Sequence, residues 1–343
     1  MDSGTSEKSF FHHGVVVDTS TSGFDKGVAS FCSIFVDEDY PRTLFLYYAG
    51  GQNERMINSA IGLAVSKEGI QFEKVGRDPV FSAPIGSFCH MQAQTPAVTK
   101  LDNRFYMVLS GKPSLDSPRR VGIAYADDPK GPWNLIGELI KPAQFWEGNG
   151  IDNGPSIVQL DNETILLYYS SITSTRSYDI GAIIRRYPIR RIGLLKIRIR
   201  GTSPHKIEAM RFSGNPLKHL NGPKGRWNES VFCPGCLKLN DMYFLFPSTS
   251  TYSVGFPYRQ YIGATTSNSP YFHPQETSKL TKLIDGPSEK NKILPNIKGE
   301  IALDTPSPYF DADRNKLFLY YSAADRADGI WKTALTTFDL TAD

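Results

Sequence analysis

Short apolar runs alternate with polar, turn-forming stretches along this chain, and the alternation itself repeats. Between Gly150 and Ser171 an apolar start (Pro155 to Ile157) leads through a polar turn (Leu160 to Glu163) to a second apolar run ending Tyr168-Tyr169-Ser170. Asp and Asn tolerate turn dihedrals while Ile, Val, Leu and Tyr suit a pleated surface, so the pattern predicts a β-hairpin. Four other places share the outline. Cys32-Ser33-Ile34 leads to Tyr47-Tyr48-Ala49, Pro96-Ala97-Val98 to Val108-Leu109-Ser110, Pro234-Gly235-Cys236 to Leu245-Phe246, and Pro306-Ser307-Pro308 to Tyr320-Tyr321-Ser322. The starts at 32, 96, 155, 234 and 306 give intervals of 64, 59, 79 and 72 residues, which is a repeat.

A second element follows the hairpins. Ile61-Gly62-Leu63-Ala64 is echoed by Val121-Gly122-Ile123-Ala124, Ile192-Gly193-Leu194-Leu195 and Ile262-Gly263-Ala264-Thr265. With a further strand after each, every unit reads as four strands, and five such units in a ring make an all-β, five-bladed β-propeller around a central channel. The expected blades span about 25–81, 90–140, 146–217, 227–283 and 300–340, within one domain over 12–343. Residues 1–11 read as a loose tail, and 12–17, Val15 to Val17 above all, as a strand that closes the ring on the last blade. In the third unit, Thr173 to Pro188 reads as an insertion before the Ile-Gly element.

Composition narrows the function classes. A formal charge of +3 over 343 residues gives no reason to expect nucleic acid or a membrane as partner. Neither a spanning apolar run nor a leader pattern is evident, so a cytoplasmic protein is the expectation. Four cysteines in so long a chain do not make a disulfide framework, and Cys233-x-x-Cys236 without a second pair reads as buried thiols. His12-His13 reads as strand edge. The arginines Arg185, Arg186, Arg190 and Arg191, with Lys196 to Arg200, form a basic cluster whose simplest reading is a solvated outer strand and loop.

In a propeller, residues just before each innermost strand meet at one mouth of the channel. The units offer Asp25, Asp152, Glu229 and either Glu300 or Asp304 there, with His90, Gln92 and Gln94 from the second unit. Carboxylates crowded into one concavity repel, which raises at least one pKa. A pair of unequal carboxylates is what glycosidic bond cleavage needs, one as proton donor and one to activate water or attack carbon. Trp146, Trp227 and Tyr252 would supply flat faces for a sugar ring. The plainer alternative is that these acids cap turns before strands.

The blade pattern, Gly150-Ile151-Asp152 and the segment from Asn228-Glu229 to Pro234 resemble the five-bladed glycoside hydrolases of families 43, 32 and 130, which include arabinanases, xylosidases, levansucrases and invertases. The resemblance spans nearly the whole chain. It implies a carbohydrate or glycoside as the small-molecule partner, with Asp25 as general base, Asp152 as modulator of the acid, Glu229 as general acid, and His90, Gln92, Gln94, Trp146, Trp227, Asp304 and Glu300 around the substrate. Inversion of the anomeric centre is the expectation from family 43. No cofactor is required, and a channel-bound calcium is neither asserted nor excluded. The chain departs from the family pattern in three places: the family's first Asp directly precedes a Pro whereas Asp25 lies seven residues before Cys32, its Glu adjoins the strand start whereas Glu229 lies five before Pro234, and Gln94-Thr95-Pro96 replaces an Arg-Asp-Pro motif. A phosphorylase, a carbohydrate-binding module or a non-hydrolytic enzyme built on the same scaffold are the other readings.

Overall fold

The computed structural model describes residues 10–148, 150–179, 184–253, 256–285, 301–325 and 330–340. Glu300 and the side chains of Asp152 and Tyr252 lie outside that description. Strand β1 (Phe10–Val17) pairs antiparallel with the end of the chain, and four-stranded blades follow. Blade one holds β2 (Val28–Val36), β3 (Leu44–Gly51), β4 (Ala60–Ser66) and β5 (Glu73–Lys74). Blade two holds β6 (Gln92–Leu101), β7 (Arg104–Lys112), β8 (Arg120–Ala126) and β9 (Asn134–Ile140). Blade three holds β10 (Ile151–Gln159), β11 (Thr164–Asp179), β12 (Ile184–Ile199) and β13 (Ile207–Arg211). Blade four holds β14 (Ser230–Leu239), β15 (Met242–Ser253), β16 (Phe256–Ser267) and β17 (Thr281–Ile284). Blade five holds β18 (Ile301–Asp311), β19 (Lys316–Asp325) and β20 (Trp331–Asp339), with β1 as its outer strand, so the two ends of the chain close the ring.

The inner strands β2, β6, β10, β14 and β18 neighbour one another around the channel. Each second strand lies between two neighbouring blades and is buried on both faces. That is why β3 reads as an unbroken buried run from Leu44 to Gly51 instead of an alternating one. The apolar side chains sort into five cores, one in each gap between blades; Tyr47 and Met107 share the first and Leu46 and Tyr320 the last. The Ile-Gly element has a packing cause. A Cβ on Gly122 would stand 2.2 Å from the ring of Phe88, and one on Gly193 would stand 2.5 Å from Trp146, so an aromatic residue ahead of the inner strand presses on the third strand where only glycine leaves room.

Every inner strand breaks register near its start. The pairing jumps from Ser30 to Ser33, Gln94 to Ala97, Asn153 to Ile157, Phe232 to Gly235 and Asp304 to Ser307. In four blades a residue with positive φ marks the bulge: Phe31, Thr95, Cys233 and Thr305. The backbone N–H freed there is taken by a serine of the preceding blade. Phe31 N donates to Ser322 Oγ (2.9 Å), Cys233 N to Ser170 Oγ (3.3 Å) and Thr305 N to Ser248 Oγ (2.9 Å). The serine that ends the Tyr-Tyr-Ser signature is therefore a staple between blades.

One sequence expectation changes. The residues from Thr173 to Pro188 do not form an insertion ahead of a strand: their described part extends β11 and β12 themselves, whose pairing runs unbroken from Ser174↔Ile189 to Asp179↔Ile184. Ser, Thr, Arg and Tyr in alternation keep a hairpin's period of two where a loop would lose it. The blade thus carries a two-stranded extension, and Tyr187 ties it to blade four through Ser250 Oγ at 2.5 Å.

Candidate active site

The bulges fix which residues are equivalent around the mouth. Taking in each blade the inner-strand residue that pairs with the signature position of the second strand gives Ser30 (opposite Ala49), Gln94 (Ser110), Asp152 (Ser170), Phe232 (Ser248) and Asp304 (Ser322). Two of the five are acids, from blades three and five, and β10 and β18 approach each other across the channel.

Asp304 is enclosed by protein yet keeps part of its surface open. Burial raises its pKa, against the pull of Arg190, of the Thr305 N–H at 2.7 Å and of the Ser248 and Cys233 side chains. Arg190, on β12 of blade three, lies over the Phe232 ring of blade four with its Cζ 4.8 Å from the centroid. Arg190, Phe232 and Asp304 therefore bring three blades together. On the blade-two side Arg119 donates to the Oε1 atoms of Gln94 and Gln92, the latter at 3.3 Å, and Gln92 Nε2 donates to the Arg55 carbonyl at 2.9 Å. Phe31 and Trp331 add a tilted ring pair, centroids 5.4 Å apart. His90 is half-buried two residues ahead of β6, and its Nδ1 is buried with no partner among the described residues.

Asp25 stands elsewhere. It is buried, accepts from Tyr48 OH (2.8 Å) and pairs with Lys74 Nζ (2.6 Å), and Lys74 belongs to the outermost strand of its blade. The carboxyl thus faces outward, at a polar cavity of about 360 Å³ with Ser20, Ser22 and Arg77. Blade three repeats the arrangement with a residue that no motif in the sequence singles out. Glu147 accepts from Tyr169 OH (2.9 Å), pairs with Arg211 (2.5 Å) and receives the Ala143 and Gln144 N–H groups. Asp25 lies five residues before Ser30 and Glu147 five before Asp152, so the two are equivalents. Glu229 is also buried in its loop: Gly225 N donates to its Oε2 at 2.9 Å and Thr251 Oγ1 at 3.4 Å. The described contacts do not bring Asp25 and Glu229 together at one centre: Asp25 answers to Tyr48 and Lys74 of blade one, and Glu229 to its own loop and to Thr251 of blade four.

The tryptophans take part in packing. Trp146 is packed on Gly193 and Tyr169 with its Nε1 donating to Gln144, and Trp227 on Gly263 and Tyr261, so both pin a blade instead of offering a sugar platform. The four cysteines are buried and form no disulfide, and burial pushes the thiols of Cys32 and Cys236 up to about 12, which suits packing and not nucleophilic attack. Among the described residues no three His, Cys, Asp or Glu side chains converge as metal ligands. What the sequence pattern misses at the mouth is Arg190, Arg119, Phe31 and Trp331. Arg190 sits in the basic cluster that the pattern reads as a solvated strand, and only the register of β12 against β11 brings it to the mouth.

Residues 47–306 match the family described as Glycosyl hydrolases family 43. No curated protein matches the chain by sequence. Among solved structures it is similar to a BT0996 RGII complex (TM-score 0.66, 14% identity, covering 96% of this chain and 92% of that one). It is similar as well to native Bacillus subtilis arabinanase Arb43A (0.57, 15%, 92% and 96%) and to α-L-arabinofuranosidase from Lactobacillus brevis (0.57, 13%, 94% and 97%). At such identities these likenesses concern the fold, while the match over residues 47–306 carries the membership: the chain belongs to the glycosyl hydrolases of family 43.

Proposed function

We propose that the chain cleaves a glycosidic bond at the channel mouth, with Asp304 as proton donor and Asp152 as the second carboxylate. The observation that carries this is the register: both acids pair with the signature serine of the second strand, Ser170 or Ser322, in two blades that approach each other across the channel. Asp304 suits the donor because burial favours its protonated form, and proton transfer to the leaving oxygen requires a carboxyl that still holds its proton near neutrality. Inversion is the expected outcome, which requires carboxyl separations of roughly 6.5–9.5 Å so that a water molecule fits between the two acids. Phe31, Phe232 and Trp331 offer the apolar faces that a sugar ring needs, and Gln92, Gln94 and Arg119 the donors for its hydroxyls. Glu229 and Asp25 hold the approaches to their blades.

A panel of aryl glycosides, furanosides included, tests the reading on the wild type and on Asp304→Asn, Asp152→Asn and Glu229→Gln. Hydrolysis that vanishes with Asp304→Asn and Asp152→Asn and persists with Glu229→Gln supports it. Loss with Glu229→Gln alone returns the acid to blade four. One observation favours a second reading, a propeller that binds a carbohydrate without cleaving it: the residue directly before the blade-one strand start, where the resemblance expects an Asp, is Phe31, and the residue adjoining the blade-four strand start, where it expects a Glu, is Cys233. Sugar binding with no turnover of any glycoside, with or without added phosphate, selects that reading.

A further inference from the structure

We propose that the mouth binds an oxyanion, carried by the substrate as a sugar carboxylate or supplied as free phosphate, and that Arg190 is the group that reads it. The inference rests on the mouth being the substrate site. Arg190 and Arg191 are consecutive on β12, so they fall on opposite faces of the blade-three sheet, opposite Ile172 and Ser171 of β11. No acid among the described residues lies within ion-pair distance of either, and the Arg191 Nε is buried without a partner. A guanidinium enclosed beside other groups and left without a counter-charge costs free energy unless something supplies one.

Arg190 is also held in position. Its backbone N–H donates to Ser230 Oγ of blade four at 2.8 Å, and its guanidinium lies over the Phe232 face. A stacked guanidinium keeps its N–H edge free for a planar, two-pronged contact, the geometry that a carboxylate or phosphate matches and a sugar hydroxyl does not. Among the described acids Asp304 meets the field of Arg190, and burial drives Asp304 toward the neutral form, so it compensates Arg190 incompletely. From the ring position of blade five Asp304 would act on the scissile bond, while Arg190, reaching in from blade three, would hold the anion beside it.

Binding, read by calorimetry on the full chain without any need for turnover, keeps this inference separable from the cleavage reading. The probes are D-glucuronate, its neutral counterpart D-glucose, and inorganic phosphate, each at low and at moderate salt. The expected result is that glucuronate or phosphate binds at least about tenfold more tightly than glucose and that Arg190→Gln removes that preference, as loss of a charge-assisted pair implies. Arg190→Lys, which keeps the charge and loses the planar fork, should fall between the two. Tighter glucuronate with indifferent phosphate assigns the anion to the sugar; the reverse assigns it to free phosphate. Equal binding of glucose and glucuronate together with no phosphate binding overturns the proposal, as does a preference that Arg190→Gln leaves intact. Either failure leaves glycoside cleavage untouched, and absence of turnover on the aryl glycosides leaves this result standing.

Discussion

Two kinds of buried carboxyl recur around this ring, five residues apart in the chain. The outer kind, Asp25 and Glu147, each meets the second-strand tyrosine of its blade and a cation on the outermost strand, Lys74 or Arg211. The inner kind stands beside the bulge, and its described representative, Asp304, makes no salt bridge among the described residues and feels Arg190 only through its field. Position in the blade thus decides what an acid can do. One kind is neutralised where it stands and locks a corner, while the other is desolvated, which makes a carboxyl useful for moving a proton.

Removing the inner acid puts this division to its severest trial. Asp304→Asn should lower kcat by about a thousandfold, the usual worth of a positioned acid, and more for poor leaving groups than for activated aryl ones. It should leave the melting temperature unchanged or raised. A variant that loses stability instead would place Asp304 with the outer kind.

Next in size is Glu147→Gln. Its carboxylate is fully enclosed and the change leaves Arg211 without its anion, a loss on the order of 3 kcal/mol in denaturant unfolding with little change in kcat. Asp25→Asn should cost less, about 1–2 kcal/mol, because Lys74 is more open to water and can turn outward. Turnover that survives Asp25→Asn would confirm the outer acid as a fastening. Turnover that disappears would make it a base after all.

The five hairpins are legible in the sequence because their turns and apolar runs are local, and so is the ring, since five equivalent units without free edges leave few other arrangements. The acids of the site are half legible. Asp152 and Asp304 can be placed before the right strands, but their equivalence depends on two extra residues in the β10 bulge against one in β18, which strand pairing reveals and spacing does not. Asp25 attracts attention because it precedes an inner strand, and nothing local announces that Tyr48 and Lys74 lie waiting for it 23 and 49 residues on. Glu147 escapes notice because it sits beside Trp146, whose ring looks the more informative. Arg190 shows in the sequence only as one of several arginines, since its place beside Phe232 and Asp304 is a matter of register.

The smallest effect is the most discriminating, because it has opposite signs for the two kinds of acid. Burial alone would raise the Glu147 pKa, but Arg211, the Gln144 and Ala143 N–H groups and Tyr169 outweigh it and hold the carboxyl below the ordinary carboxylate range. Such a group contributes stability that is present above its unfolded pKa and is lost as pH falls through the folded one. Asp304 is the reverse. With its folded pKa raised, it costs stability once pH exceeds the unfolded value, and the cost is relieved as pH falls back through the folded one. Unfolding free energies of wild type, Glu147→Gln and Asp304→Asn, measured from pH 7 down into the carboxylate range, should therefore diverge. The gap between wild type and Glu147→Gln should hold steady until the ordinary carboxylate range and then close. Any advantage of Asp304→Asn at pH 7 should begin to shrink at a higher pH than the one at which the Glu147 gap closes. Two gaps that close together over the same pH range would show that these acids share one environment, and with that the distinction between fastening and catalyst would lose its physical basis.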